Sequence, residues 1–295
     1  MTHLQVRRPR FDFTEDVAFV WNPQNPAFSF AMNATSIIAI CFEQMIVAAV
    51  QEAKPLIIDP EVAGEAMAFL RQEAQHSSSH RKHVMALTKR YPGLEHTLDK
   101  ALASFDRLTA TTPLEYRLAY VADLEATFTP SFKLMLDNED TLFRPGDDRV
   151  ASLFLWHFVE EVEHRSSALV IYDAVVGKPW YRLRVLPRVV KHLLGVMELI
   201  AEGVNAHVPV EDRHVDARTL LPTFGIAQSL RGKRSDVPPA FAGVPLKQKL
   251  TAAARVLLSQ TPFHDPAHEP LPEFAGRWFE HYDNGGNVVR WYGSL

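Results

Sequence analysis

Residues 156–164, WHFVEEVEH, put two histidines and three glutamates into nine positions flanked by the apolar runs SLFL and SALVIYD. An ionised side chain taken out of water costs several kcal/mol unless something neutralises it, so this run either faces solvent or is held by countercharge. The flanks continue an apolar helical pattern from about Arg149 to Val176, closed by Gly177. The charged run therefore falls inside a long helix.

Outward from this helix, the same periodicity predicts three more long ones. One spans about Ser36 to Glu52 and ends before Pro55. Another begins at Asp59, a capping residue followed by Pro60, and runs to about Arg90, where YPG stops it. The third opens at Thr112-Pro113-Leu114-Glu115, a capping-box spacing with proline at the first helical position. It continues to about Asp137, with a kink expected near Pro130. A shorter amphipathic piece, about Leu94 to Leu108, leads into it. After Gly177, PWYRLRVLPRVVKHLLGVMELIAEGV reads as a further helix packed on the others or on a second subunit, with a membrane-surface segment as the alternative. From His207 onward Pro and Gly become frequent, with short helices near 246–259 and 272–283 between loops such as DVPPAFAGVP and TPFHDPAHEP.

Two of the four long helices carry Glu-x-x-His: Glu73 with His76, and Glu161 with His164. Residues three apart share a helix face, so each pair can offer a carboxylate and an imidazole to one metal ion. With 19 glutamates and 13 histidines in 295 residues, about one such spacing arises by chance. A third instance, Glu211 and His214 in VPVEDRHVD, is read as the chance one because it lies in a polar stretch. Glu43 and Glu125 separate the other two from coincidence. Each stands in the middle of an apolar helical pattern, one on each remaining long helix, where a lone carboxylate is not tolerated. A Glu from each of two helices with a Glu-x-x-His from each of the other two is how carboxylate-bridged helical bundles hold a pair of iron or manganese ions. Four carboxylates balance two divalent cations.

VRRPRFDF, RQEAQHSSSH, LEATFT and LWHFVEEVEHRSSALVIYD resemble the bacterial family named predicted metal-dependent hydrolases, over most of residues 5 to 200. That family belongs with the ferritin-like helical proteins. The resemblance thus implies an all-α chain, a ferritin-like four-helix bundle with additional C-terminal helices. Residues 1–205 would form the bundle and an N-terminal arm, and 206–295 an extension packed on it. The site also resembles that of the p-aminobenzoate N-oxygenase type, whose last helix carries His-x-x-x-Glu-x-x-His. This implies His157 as a seventh ligand beside Glu161 and His164. Helix geometry agrees: at about 100° per residue His157 and His164 nearly eclipse, with Glu161 roughly 40° from His157. Glu160, on the other shoulder of that stripe, is expected to accept a hydrogen bond from a ligand histidine, with Gln72 in the matching role before Glu73. Glu163 points away, solvated or paired. His80 continues the stripe of His76 and is placed among the bracing residues, although a polar position at the bundle surface fits it too. His83 is read as surface, Tyr116 and Tyr120 as core aromatics, and His264 and His268 as loop residues.

The net charge of −4 and a pI of about 6.4, with Lys and Arg scattered, give no electrostatic case for nucleic acid. The single cysteine, Cys41, excludes an intrachain disulfide and a Cys-based zinc site. MTHLQVRRPRFDFTEDV lacks the apolar core of a secretory signal, and no uninterrupted run of 18 apolar residues suggests a membrane span, so the expected location is cytoplasmic. The expected activity is that of a non-haem di-iron oxidoreductase, with two iron ions, or manganese or a mixed pair. It would use O2 and an external electron donor to hydroxylate or N-oxygenate a small organic substrate. The alternatives are a two-metal hydrolase activating water and a ferritin-like metal-handling protein. A homodimer is compatible with this reading.

Overall fold

The structure, a computed structural model of the chain, describes residues 4–14, 16–221 and 238–293. Among these there are eleven α-helices, against the eight helical segments that the periodicity predicts, and no strand. The first loop expected after His207 begins at Asp236, which lies outside the described residues.

α1 (Pro26–Ala53) starts ten residues earlier than expected. Asn25 Oδ1 accepts the Phe28 amide and Pro26 occupies the first turn, so the start signal is an Asn-Pro cap placed before FSFAMNAT. α1 is long and apolar enough to cross a membrane by length and composition, but 72% of that apolar window is buried inside the protein. It is the core helix. α2 (Pro60–Arg90) begins where expected, with Asp59 accepting from the Glu61 and Val62 amides. The six residues between α1 and α2 turn the chain back, and the two helices pack along their lengths.

α3 (Gly93–Thr111) is followed by α4 (Leu114–Leu136), and the predicted capping box at Thr112 does not form. Thr112 is the last residue of the α3 boundary. Its hydroxyl donates back to the Leu108 carbonyl, while Glu115 pairs with Lys178 instead of returning to the cap. α4 continues through Pro130. After the single turn α5 (Glu139–Leu142), the fourth long helix is divided: α6 (Asp148–Glu163) stops at His164, and α7 (Ser167–Val175) resumes three residues later. Arg165 donates to the Val162 carbonyl freed by the break. Gly177, at φ +60°, ends α7 as its position suggested.

α4 packs on α1, α6 and α7, and α2 closes on α6 and α7, so the long helices surround a common interior. α8 (Pro179–His207) lies across α3 and α4, with the one-turn α9 (Val210–Arg213) after it. α10 (Leu246–Ser259) covers α4, and α11 (Glu273–Asp283) rests on α4 and α6. Phe274, Trp278 and Trp291 from this last part join the same hydrophobic core, and Ser152 Oγ on α6 accepts the Trp291 amide at 2.8 Å. Burying a side chain of this size contributes about 2–3 kcal/mol relative to exposure. The C-terminal segment is thereby fastened to α6, the helix that carries WHFVEEVE.

Candidate metal centre

The helices bring all seven expected ligands to one place: Glu43 from α1, Glu73 and His76 from α2, Glu125 from α4, His157 and Glu161 from α6, and His164 at its end. None is more than 3% exposed. They form two overlapping groups, Glu43 with His76, His157 and Glu161, and Glu73 with Glu125, Glu161 and His164, whose donor atoms lie within 4.8 Å of one another. Glu161 belongs to both. Its Oε1 lies 2.9 Å from His157 Nε2 and 3.3 Å from His76 Nδ1, and its Oε2 lies 3.1 Å from His164 Nε2. Glu43 Oε1 is 3.3 Å from His157 Nε2, and Glu73 and Glu125 approach His164 Nε2 at 3.2 and 3.6 Å. One carboxylate thus spans the two groups.

Each histidine turns one ring nitrogen inward and the other to a bracing partner. His76 Nε2 meets Glu160 Oε2 at 2.9 Å, His164 Nδ1 meets Gln72 Oε1 at 3.0 Å, and His157 Nδ1 meets His80 Nε2 at 2.7 Å. Two of these partners dictate the tautomer. Glu160 can only accept, so His76 carries its proton on Nε2 and offers the Nδ1 lone pair inward. Gln72 Nε2 donates to Glu163 Oε2 and to the Gln5 carbonyl, both at 3.0 Å, which leaves its Oε1 to accept from His164 Nδ1. His164 therefore offers Nε2. Lone pairs aimed at carboxylates need a cation between them, whether a proton or a metal ion.

Arg7 completes the frame. It donates to Glu160 at 3.2 Å and to both oxygens of Glu163 at 2.7 and 2.9 Å, and its guanidinium lies 4.8–5.8 Å from the rings of Phe279, Tyr282 and Trp278 on α11. Glu163 is paired, one of its two expected fates. Glu160, Gln72 and His80 lie within hydrogen-bond distance of His76, His164 and His157. The surface readings fail: His80 and His83 are both fully buried. Ser36 Oγ stands 2.9 Å from Nδ1 of each, which satisfies nitrogens that the apolar contacts around them do not. Tyr116 and Tyr120 are core aromatics, and the Tyr120 hydroxyl pairs with His192. Glu211 and His214 are exposed, away from the cluster.

The residues fit a bound metal pair on their own chemistry. Glu43 Oε2, both Glu73 oxygens, Glu125 Oε1 and His76 Nδ1 are buried without a hydrogen-bond partner. Burial, followed by the charge of neighbouring carboxylates, raises Glu73 to about 8 and pushes Glu43 and Glu125 well up. Burial would raise Glu161 as well, but His164, His157 and His76 outweigh it and hold Glu161 well below the usual carboxylate range. His76 rises to about 9 against burial through Glu160 and Glu161, and His164 rises through Glu161. Burial and the charge of His76 lower His157 to about 4. Metal-free, the pocket needs protons to offset its carboxylates; two divalent cations would replace them.

A cleft of about 270 Å³ borders His164 and is also lined by Glu65, Glu163, Arg165, Ser166 and Asp265. A larger one, about 380 Å³, lies between α4 and α10, and none of the seven residues lines it. Sequence reasoning missed Arg7, Ser36 and the burial of His83. VRRPRFDF was visible, but nothing local in it marks Arg7 as the partner of a carboxylate 153 positions away.

Residues 5–235 match the model of a family described as predicted metal-dependent hydrolase. Comparison with the curated proteins and with the solved structures finds no match.

Proposed function

We propose that this chain, which belongs to the predicted metal-dependent hydrolase family, is a ferritin-like enzyme that holds two iron ions, with manganese or a mixed pair as variants, and oxidises a small organic substrate with O2. The observation that carries the reading is the set of buried, unpartnered oxygens and nitrogen converging across Glu161. Seven oxygen and nitrogen donors with no thiolate suit iron or manganese, and their helical scaffold is the kind that carries di-iron carboxylate sites. When bound, the metal pair supplies electrons and open coordination positions for O2, and an external donor restores the electrons.

The chain's own residues do the rest. Glu160 and Gln72 fix the tautomers of His76 and His164, Glu161 sets the spacing of the two positions, and the apolar core keeps bulk water from them. The cleft beside His164 offers room for a small substrate.

The family's description favours a second reading, a two-metal hydrolase in which the same ligands hold metals that activate water. Metal analysis and anaerobic Fe(II) loading separate the two. The oxidative reading expects about two ions per chain, prompt O2 uptake with a reductant present, and a change in visible absorption. Zinc as the bound metal, no O2 uptake, and hydrolysis of model esters by the zinc-loaded protein would establish the hydrolase instead.

A further inference from the structure

α10, LKQKLTAAARVLLS, is an amphipathic helix mounted with its apolar side outward. Leu246, Leu250 and Leu257 recur at helical spacing and, with Leu258, are 62–74% exposed, whereas Ala252 and Ser259 on the opposite side are buried. The stripe leads to Phe263, 86% exposed, which meets Trp180 of α8 edge to face at 6.2 Å. Trp180 is itself 63% exposed, with Leu183 beside it on α8. Arg182 locks the two helices together: it is buried, pairs with Asp123 at 3.0 Å and reaches the Ser259 carbonyl at the end of α10. An exposed apolar surface of this kind on a folded chain marks an interaction site.

Its charge identifies the occupant. Neither α10 nor residues 179–197 of α8 contain an acidic residue, in a chain whose net charge is −4. Arg184, Arg188, Lys191 and Lys247 are exposed and make no ion pair among the described residues. We infer that α10 and the first half of α8 form a docking face for an anionic lipid surface, with Trp180, Phe263 and the leucines entering the headgroup region and the cations meeting lipid phosphates. A two-fold contact with a second copy would set these unpaired cations against one another, which disfavours that occupant.

The test is co-sedimentation of the full-length protein with vesicles of phosphatidylcholine alone or of equal parts phosphatidylcholine and phosphatidylglycerol, in low and high salt. Binding to the mixed vesicles that salt weakens, with little binding to phosphatidylcholine, is expected. Leu257→Glu with Phe263→Glu, and separately Arg184→Glu with Lys191→Glu, should each lower partitioning at least about tenfold. All four positions are exposed, and unchanged circular dichroism and metal content would verify that the fold persists. Absence of binding to mixed vesicles, or binding indifferent to these substitutions, overturns the proposal. So does a dimer, seen by light scattering without lipid, that the leucine and phenylalanine substitutions dissociate.

Discussion

Gln72 is neutral, yet it decides which nitrogen of His164 faces the carboxylates. Its amide is oriented by Glu163 and the Gln5 carbonyl, so it cannot turn over without losing two donor bonds. Gln72→Leu keeps the bulk and frees the imidazole to rotate or change tautomer. Metal affinity should fall about 10–100-fold in chelator competition, while the same change at exposed Glu211 leaves it unaltered. His83 governs a different property. Burial, helped by Arg149 and opposed by Asp147, lowers it to about 4 from an ordinary 6.5. The unfolded chain therefore binds this proton at higher pH than the fold does. The stability His83 contributes is complete above pH 6.5 and declines as pH falls through 6.5 towards 4, by up to about 3 kcal/mol. Urea unfolding across that window should show a shallower pH slope for His83→Gln. The meeting of these seven side chains was legible in the sequence because helix geometry converts a spacing of three or four into a shared face, and because Glu43 and Glu125 had no business in apolar runs without a cation. Ser36, His83 and Arg7 were not: their roles come from contacts between distant segments, which no local period encodes.

At the scale of elements, α3 and α8 approach so closely that a methyl group on Gly203 would overlap the side chain of Thr97, itself buried. Gly203→Ala gains up to about 1 kcal/mol of helix propensity but forces a packed interface apart. The net expected is a loss of about 1–3 kcal/mol, read as a lower midpoint in thermal unfolding. Alanine at Gly195, where nothing stands within contact distance, should raise the midpoint slightly. The elements were legible where a start signal and a period agreed, as at Asp59 and Pro60. They were misread where two signals competed. Thr112 had the spacing of a cap for α4 and instead closes α3. The break at His164 was hidden because the apolar pattern runs on through α7, and only the folded chain reveals that Arg165 takes up a carbonyl there.

Across the whole molecule, the bracing of the buried histidine and carboxylate cluster spans almost the entire chain. His76 leans on Glu160, Glu160 on Arg7, and Arg7 on the aromatic face of α11, so residues near position 7 and residues near position 280 meet over the same carboxylates. Such a connection is invisible to periodicity, and it gives the C-terminal segment a purpose beyond adding core. It also orders events in time. The four long helices leave the ribosome well before α11, and until α11 follows them Arg7 lacks its aromatic seat. The frame around Glu160 and Glu163 is therefore complete only once synthesis has passed residue 282.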